Sequence, residues 1–484
     1  MKKGIVIFVF VLYILVPFPV AAEGEEDTKQ KIEDYMMESI DTYNIPGASL
    51  TVVKNEEIFY HDDWGVMSDG SKVTADKPFL IGSLSKPITS LAIMMLVEDG
   101  IIKLDEPIEN YIPSFAYKTD SSKQITVLHL LEHTSGISEF EGLKVTDKDS
   151  TEETIITKSV DELNGVELSH VPGEVYEYNS ANYLLLGLIV EEVTNGTYSE
   201  FLDKRIFTPL NMRHSAADYE TARVLGYKPG FVSWFGKPIK SDGLYDNAGA
   251  PYGYIASTTN DLAKFLTFML EGGELLSEQN LDLLKTPPEE GRTYGLGWHF
   301  SKTENFPFHG GATSDHRAEM FFIPEQDVAA VLLTNKYHFT EDRQVSEIME
   351  GIRSIMNGVE PVEVPPQSYT LQWITLGITI MLVILTVVHF MILRRKQRLR
   401  RSLRFSLAIL FLFLTIGLIP TITYMMGTPW KAIKLYAPDI AFLIQVLVAI
   451  LAINGIIPFI MNAFKKRTNH KNNVPNLESF SLKK

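Results

Sequence analysis

Ser83 and Lys86 lie three positions apart at the beginning of a stretch whose apolar residues follow a helical spacing. Pro87 has no N–H group and is tolerated only in the first turn of a helix, so the helix must begin close to Ser83. The hydroxyl and the amine would then lie on one face, one turn apart. A buried lysine of lowered pKa can accept a serine proton, so the pair predicts a nucleophilic Ser83 with Lys86 as its base.

The S-x-x-K pattern is by itself a weak signal, because it arises by chance in chains of this length. It occurs a second time at residues 481–484, at the end of the chain. Taken alone, Ser83 is as consistent with a helix cap as with a nucleophile. The interpretation therefore depends on the rest of the sequence.

Further sequence blocks supply that context. The blocks are Gly82-Ser83-Leu84-Ser85-Lys86, Leu130-Leu131-Glu132-His133-Thr134-Ser135-Gly136, Pro172-Gly173 through Tyr178 to Gly187, and Tyr294-Gly295-Leu296-Gly297-Trp298. In this order they resemble the serine β-lactamase and penicillin-binding protein superfamily, in which S-x-x-K is one of three elements. The closest branch is similar to the class C β-lactamases and the related esterases and D-amino-acid peptidases.

The resemblance gives Tyr178 a role, because it occupies the first position of the branch's Y-x-N element. It would share protons with Ser83 and Lys86, either as a phenolate held near a cation or as a relay to the leaving group. The third position holds Ser180, where the family has an asparagine that contacts the substrate amide. We therefore expect Ser180 to bind substrate, and its presence argues against ordinary β-lactam turnover.

His309-Gly310-Gly311 resembles the third element, K-T-G, with the histidine that is common in the esterase and peptidase branch. Paired glycines let a substrate backbone approach a strand closely, although a plain turn between strands is an alternative. The resemblance implies that these three residues bind substrate. It also implies an oxyanion hole made of the N–H groups of Ser83 and Ala312.

A competing motif overlaps one of these blocks. His129-Leu130-Leu131-Glu132-His133 matches the H-x-x-E-H pattern of inverted zinc peptidases. Zinc would need a third protein ligand, and no downstream carboxylate stands out as a candidate. The same residues belong to the scaffold of the serine family, so we expect no metal and no cofactor.

The fold class follows from strands at both ends of a mixed segment. Strand patterns occur at residues 48–53 and 58–61 and again at 295–300, 318–323 and 329–334, with helical patterns between them. One sheet built from both ends is therefore predicted. The resemblance implies an α/β (α+β) fold, in which an antiparallel sheet is flanked by helices and joined to a helical subdomain, as in class C β-lactamases.

The ends of the chain predict a membrane protein. Residues 1–22 have the basic start, apolar run and small residues of a signal peptide, with an uncleaved anchor helix as the alternative. Apolar stretches at 371–393, 403–426 and 440–464 are each long enough to cross a bilayer. Basic clusters after the first and third stretches predict cytoplasmic ends, which puts the large segment outside.

We therefore divide the chain into a signal peptide (1–22), an extracytoplasmic hydrolase domain (23–359), a linker (360–370), three transmembrane helices (371–464) and a cytoplasmic tail (465–484). The protein would be a multi-pass protein of the cell membrane. A net charge of -16 argues against a nucleic-acid partner. Because cysteine is absent, a thiol nucleophile and disulfide bonds are excluded.

The predicted function is a serine peptidase whose small-molecule or peptide substrate contains a D-amino acid. The architecture resembles envelope peptidases that remove an N-acyl-D-asparagine leader from nonribosomal peptide precursors, in which a serine at the Ser180 position contacts the D-asparagine. A penicillin-binding protein or D-Ala-D-Ala carboxypeptidase, a β-lactamase and an esterase are alternatives on the same fold. A catalytically silent binding or sensor module is an alternative of another class.

Overall fold

The computed structural model describes residues 20–152, 155–288, 291–394 and 401–472. Most of the predicted signal peptide and the end of the predicted tail lie outside these residues. The α-helices are α1 (Val20–Tyr43), α2 (Ser85–Glu98), α3 (Val127–Leu131), α4 (Glu139–Val145), α5 (Ile155–Leu163), α6 (Ser180–Thr194), α7 (Tyr198–Leu202), α8 (Tyr219–Val224), α9 (Thr259–Glu271), α10 (Glu278–Lys285), α11 (Arg343–Met356), α12 (Thr370–Arg394), α13 (Arg401–Met426), α14 (Trp430–Tyr436) and α15 (Pro438–Asn472).

The strands are β1 (Gly47–Lys54), β2 (Glu57–Gly65), β3 (Phe79–Leu80), β4 (Tyr117–Lys118), β5 (Val166–Glu167), β6 (Phe231–Trp234), β7 (Lys237–Lys240), β8 (Ala256–Ser257), β9 (Tyr294–Gly295), β10 (Trp298–Phe300), β11 (Pro307–Ala312), β12 (Arg317–Ile323), β13 (Val328–Thr334) and β14 (Lys336–Tyr337). The main sheet has seven strands in the order β2-β1-β13-β12-β11-β10-β9. Every neighbouring pair in it is antiparallel.

Strands from both ends of the domain meet in the middle of the main sheet. Ala48 of β1 lies opposite Thr334 of β13, and β12 follows on the other side of β13. All seven residues of β12 and of β13 are buried, because helices cover both faces of the sheet. Helices α1 and α11 pack on one face with one apolar cluster, and a larger cluster lies on the other. The predicted sheet and fold class are confirmed.

Helix α2 lies in the middle of the domain, where it packs against α6 of the helical region. Its residues from Ser85 to Leu96 are buried, so the helix is enclosed by other elements on nearly all sides. A 3₁₀ turn at Gly82–Leu84 leads directly into it. The predicted helix start next to Ser83 is therefore confirmed.

Three helices match the predicted apolar stretches. The candidate spans are Thr370–Ile392, Arg404–Met426 and Pro438–Asn462, each long and apolar enough to cross a membrane. Helix α15 packs against both α12 and α13. The short helix α14, which the sequence patterns did not indicate, lies in the connection between α13 and α15.

Candidate active site

The turn that carries Ser83 is pressed against the end of strand β11. Gly82 has φ +55, and a Cβ atom built on it would lie 2.2 Å from the backbone nitrogen of Ala312. A Cβ on Gly311 would lie 2.1 Å from the carbonyl oxygen of Ile81 and 2.8 Å from the nitrogen of Ser83. No side chain fits at either position, so glycine is required for this contact. As a result, the backbone nitrogens of Ser83 and Ala312 belong to two segments in direct contact.

Lys86 lies one turn after Ser83 and faces its hydroxyl. Its Nζ is 2.9 Å from the Ser83 Oγ and donates to the carbonyl oxygen of Tyr252 at 2.8 Å. The side chain is fully buried, and this burial lowers the pKa of Lys86 to about 7, while the charge of Asp147 opposes the shift. A large fraction of the amine is therefore neutral near pH 7 and can accept a proton.

Tyr178 contacts the same two residues. It hydrogen bonds with Ser83, and the Lys86 Nζ lies 4.8 Å from the centre of its ring. Loss of solvent raises the pKa of Tyr178 above its ordinary value, and the Ser83 hydrogen bond only partly offsets this. The phenol therefore keeps its proton, which favours a relay over a phenolate.

The ring of His133 packs against the ring of Tyr178. The two ring centres are 4.4 Å apart, and His133 is itself fixed through Nδ1, which accepts from the Asn179 backbone N–H at 3.2 Å. Burial and the nearby charge of Lys86 lower the pKa of His133 well below its ordinary value. The ring is thus a neutral packing partner.

The predicted substrate-binding residues line one cavity together with Ser83. Ser83, Tyr178, Ser180, His309, Gly310, Gly311 and Ala312 all line a cavity of about 860 Å³. The Ser180 Oγ is 3.5 Å from the Lys86 Nζ. Burial, together with the charge of His299 and then of Lys86, lowers the pKa of His309 well below its ordinary value. His309 therefore offers no positive charge to a substrate.

Two groups at the site have no counterpart in the sequence predictions. Tyr252 acts through its backbone carbonyl, so its residue type carried no signal. His299 also lines the cavity, with its ring 6.1 Å from that of Tyr178. Burial lowers the pKa of His299 to about 4. Its place in β10, one residue after the Tyr294–Trp298 block, was the available clue.

The residues of the competing zinc motif each bind a different partner. Helix α3 ends at Leu131 and His133 has φ +56, so the two histidines do not lie on one helical face. His129 accepts from the backbone N–H of Thr126, and Glu132 pairs with Arg292 at 3.0 Å. Within the described residues, no group of three His, Asp or Glu side chains is placed to hold a metal ion.

The chain is similar to several known proteins. A family model described as Beta-lactamase matches residues 29–348. Protein flp of Staphylococcus aureus (strain MW2) is 28% identical over 324 residues, which cover 64% of this chain and 63% of that protein. The chain thus spans less than two thirds of the length of that relative.

Two penicillin-binding proteins are also similar. Penicillin-binding protein 4 of Amycolatopsis lactamdurans is 28% identical over 315 residues, covering 60% of this chain and 81% of that protein. Among solved structures, the octameric penicillin-binding protein homologue from Pyrococcus abyssi has a TM-score of 0.60 at 25% identity, covering 72% of this chain and 81% of that one. Both matches extend far beyond any single motif, over 60% and 72% of this chain.

Proposed function

Because the chain belongs to the beta-lactamase family, we propose that it is a membrane-anchored serine hydrolase that works through an acyl-enzyme on Ser83. One observation carries the proposal: the Lys86 Nζ lies 2.9 Å from the Ser83 Oγ, and burial lowers the pKa of Lys86 to about 7. A neutral amine at this distance can take the hydroxyl proton as the oxygen attacks a carbonyl carbon.

The proposed reaction has two steps. The Ser83 Oγ bonds to the substrate carbonyl carbon while its proton passes to Lys86, and the N–H groups of Ser83 and Ala312 stabilise the oxyanion. The proton then passes through the Tyr178 hydroxyl to the leaving nitrogen or oxygen as the scissile bond breaks. In the second step water attacks the ester carbon, its proton follows the reverse path, and the acid leaves.

Ser83→Ala tests this assignment directly. The variant should lose labelling by a fluorophosphonate and lose at least about a thousandfold in hydrolysis, because the attacking oxygen is gone. Its thermal unfolding should match that of the wild type. Wild-type protein that neither labels nor hydrolyses esters would support the silent binding module instead.

For specificity, we propose that the preferred substrates are N-acyl-D-asparaginyl amides, with penicillin-binding, D-Ala-D-Ala carboxypeptidase, β-lactamase and esterase activities as the alternatives. The Ser180 hydroxyl in the cavity can both donate to and accept from a carboxamide. The cavity also suits an uncharged substrate, because carboxyl groups line it and would repel a negatively charged one. These carboxyl groups belong to Glu139, Asp147, Glu319 and Asp342.

The single arginine that lines this cavity does not change that conclusion. Arg317 is held by the carbonyl oxygen of Gly311 at 3.1 Å and by the carboxylate of Asp342 at 3.2 Å. With His309 neutral as well, a free carboxylate of the kind found in penicillins and D-Ala-D-Ala peptides would meet little unpaired positive charge.

A comparison of kcat/KM tests the specificity. The substrates are N-myristoyl-D-Asn, N-myristoyl-L-Asn and N-myristoyl-D-Ala amides together with nitrocefin, on purified protein in detergent. A site built to bond a carboxamide rejects analogues that lack one, so D-Asn should be preferred strongly. Equal rates on D-Ala and D-Asn, or efficient nitrocefin turnover, would refute the D-Asn preference and leave the Ser83 assignment intact.

We further propose that the protein is multi-pass in the cell membrane, with the domain at residues 23–359 outside and the tail at 465–484 in the cytoplasm. The basic cluster between α12 and α13 and the one after residue 464 support this orientation. A cleaved signal peptide at residues 1–22 would deliver the domain to the same side.

A further inference from the structure

The active-site cavity extends beyond the globular domain. It is lined by Ser83 and Tyr178 and also by residues of the connection between α13 and α15. We call this connection the wall segment (residues 426–437), and it includes α14. Its cavity-lining residues are Met426, Thr428, Ala432, Ile433, Tyr436 and Ala437. One side of the cavity is therefore made by the part of the chain that joins two apolar, membrane-length helices.

Polar contacts hold the wall segment against the rim of the cavity. The Nζ of Lys431 donates to the carbonyl oxygen of Thr146 at 2.7 Å. Tyr436 hydrogen bonds to Asp147, whose carboxylate also accepts from the Tyr254 hydroxyl at 2.7 Å. The ring of Tyr436 also lies 5.9 Å from that of Tyr337. The wall segment is thus attached to the globular domain near both ends of α14, at Lys431 and at Tyr436.

Asp439, in the first turn of α15 just after the wall segment, makes a further attachment to the globular domain. Its Oδ1 accepts from His338 Nε2 at 2.8 Å, and its Oδ2 accepts from the backbone N–H of Phe235 at 3.0 Å. Both side chains of the Asp439–His338 pair are fully buried. The Thr340 backbone N–H donates to His338 Nδ1 at 3.1 Å, which leaves the proton on Nε2, facing the carboxylate.

A buried carboxylate at the start of an apolar helix is costly unless it has a specific partner, and such residues in membrane segments are commonly functional. Here the partner lies directly behind the cavity. His338 stands between Tyr337 and Phe339, which both line it. The pair therefore joins the start of α15 to a segment of the globular domain that lines the same cavity.

We propose that the wall segment determines specificity by contacting an extended apolar acyl group of the substrate, and that Asp439 is the positioning residue that holds the wall in place. This inference rests on the proposed serine hydrolase function but not on the D-Asn preference. Ala432 and Ile433 give the wall an apolar surface that suits an acyl chain. We therefore expect a substrate with a short acyl group to depend little on the wall.

The test compares p-nitrophenyl acetate with p-nitrophenyl octanoate on the full-length protein in lipid nanodiscs. Asp439→Ala should lower kcat/KM for the octanoate by about tenfold, mainly through KM, and leave the acetate within about twofold of wild type. Lys434→Ala is the matched control, because Lys434 is an exposed residue of α14. It should change neither substrate.

Ile433→Trp provides a second variant that keeps the Asp439–His338 pair and fills the cavity instead. It should also weaken the octanoate selectively. Equal losses on both esters in the two variants, or unchanged octanoate kinetics, would overturn the inference. Wild-type protein inactive on both esters would instead count against the hydrolase function itself, so the two failures are distinguishable.

Discussion

The amine of Lys86 donates to the carbonyl oxygen of Tyr252 at 2.8 Å. This hydrogen bond orients the amine so that it also faces the Ser83 hydroxyl. A neutral amine has two N–H groups and one lone pair. One N–H is used by the Tyr252 carbonyl and the other faces the Ser180 Oγ at 3.5 Å. The lone pair is then available to the Ser83 hydroxyl, which is the geometry that a general base requires.

Activity should depend on pH through Lys86. Its pKa is lowered to about 7, and only the amine without its proton can act as the base, so kcat/KM should fall as pH decreases below about 7 and level off above it. The acid limb should lose about tenfold per pH unit. Initial rates on p-nitrophenyl acetate from pH 5 to 9 measure this. A profile that is flat down to pH 5 would exclude Lys86 as the base.

Tyr178→Phe should separate acylation from leaving-group protonation. The variant keeps the ring packing with His133 and loses only the hydroxyl that hydrogen bonds with Ser83. We expect an anilide or amide substrate to lose at least about a hundredfold in kcat, because its nitrogen must be protonated to leave. A p-nitrophenyl ester should lose less. Equal losses on both substrate types would refute the relay role.

Gly82→Ala should abolish activity because the added methyl group would clash with the backbone of Ala312. The new Cβ would lie 2.2 Å from the Ala312 nitrogen and push the Ser83 turn away from β11. Gly70→Ala is the control: Gly70 also has a positive φ, +88, but nothing lies within 4 Å of its Cβ position. Backbone strain of about 1 to 2 kcal/mol is common to both changes. Retained hydrolysis in Gly82→Ala would contradict the proposed oxyanion hole.

Chelation should leave hydrolysis unchanged. The proposed chemistry uses only protein groups, and His129, Glu132 and His133 are engaged with Thr126, Arg292 and Asn179. Rates before and after prolonged dialysis against EDTA measure this, with a known zinc peptidase as the positive control. Loss of activity that added zinc restores would revive the metal interpretation.

Orientation in the membrane can be measured on intact cells. Protease added outside should reach the domain at residues 23–359, and the tail at 465–484 should stay protected, because basic clusters favour the cytoplasmic side. A reporter fused after Lys484 supplies the matching measurement. If that reporter is active only outside the cell, the proposed three-crossing topology is wrong.

Much of this site was predictable because each clue was local. Pro87 limited where α2 could begin, and this placed Ser83 and Lys86 on one face before any fold was known. A single sheet built from both ends followed from the strand patterns, whereas the pairing of β1 with β13 is known only from the structure. Both predictions depend on short-range sterics or on simple periodicity.

Other features were not accessible in that way. The Tyr252 carbonyl could belong to any residue type, so no side chain marks it. The wall segment resembles an ordinary connection between apolar helices, and only its contacts with Thr146, Asp147 and His338 reveal a second role.

The sheet order also affects when activity can arise during synthesis. Strand β1 is made early but pairs on one side with β13, through contacts such as Ala48 with Thr334. The strand carrying Ala312 neighbours β12, and both are made late. Contacts between such distant parts of a chain form slowly. A nascent chain that has not reached Thr334 therefore lacks the completed sheet beside Ser83, and the proposed hydrolysis would begin only once nearly the whole domain has emerged.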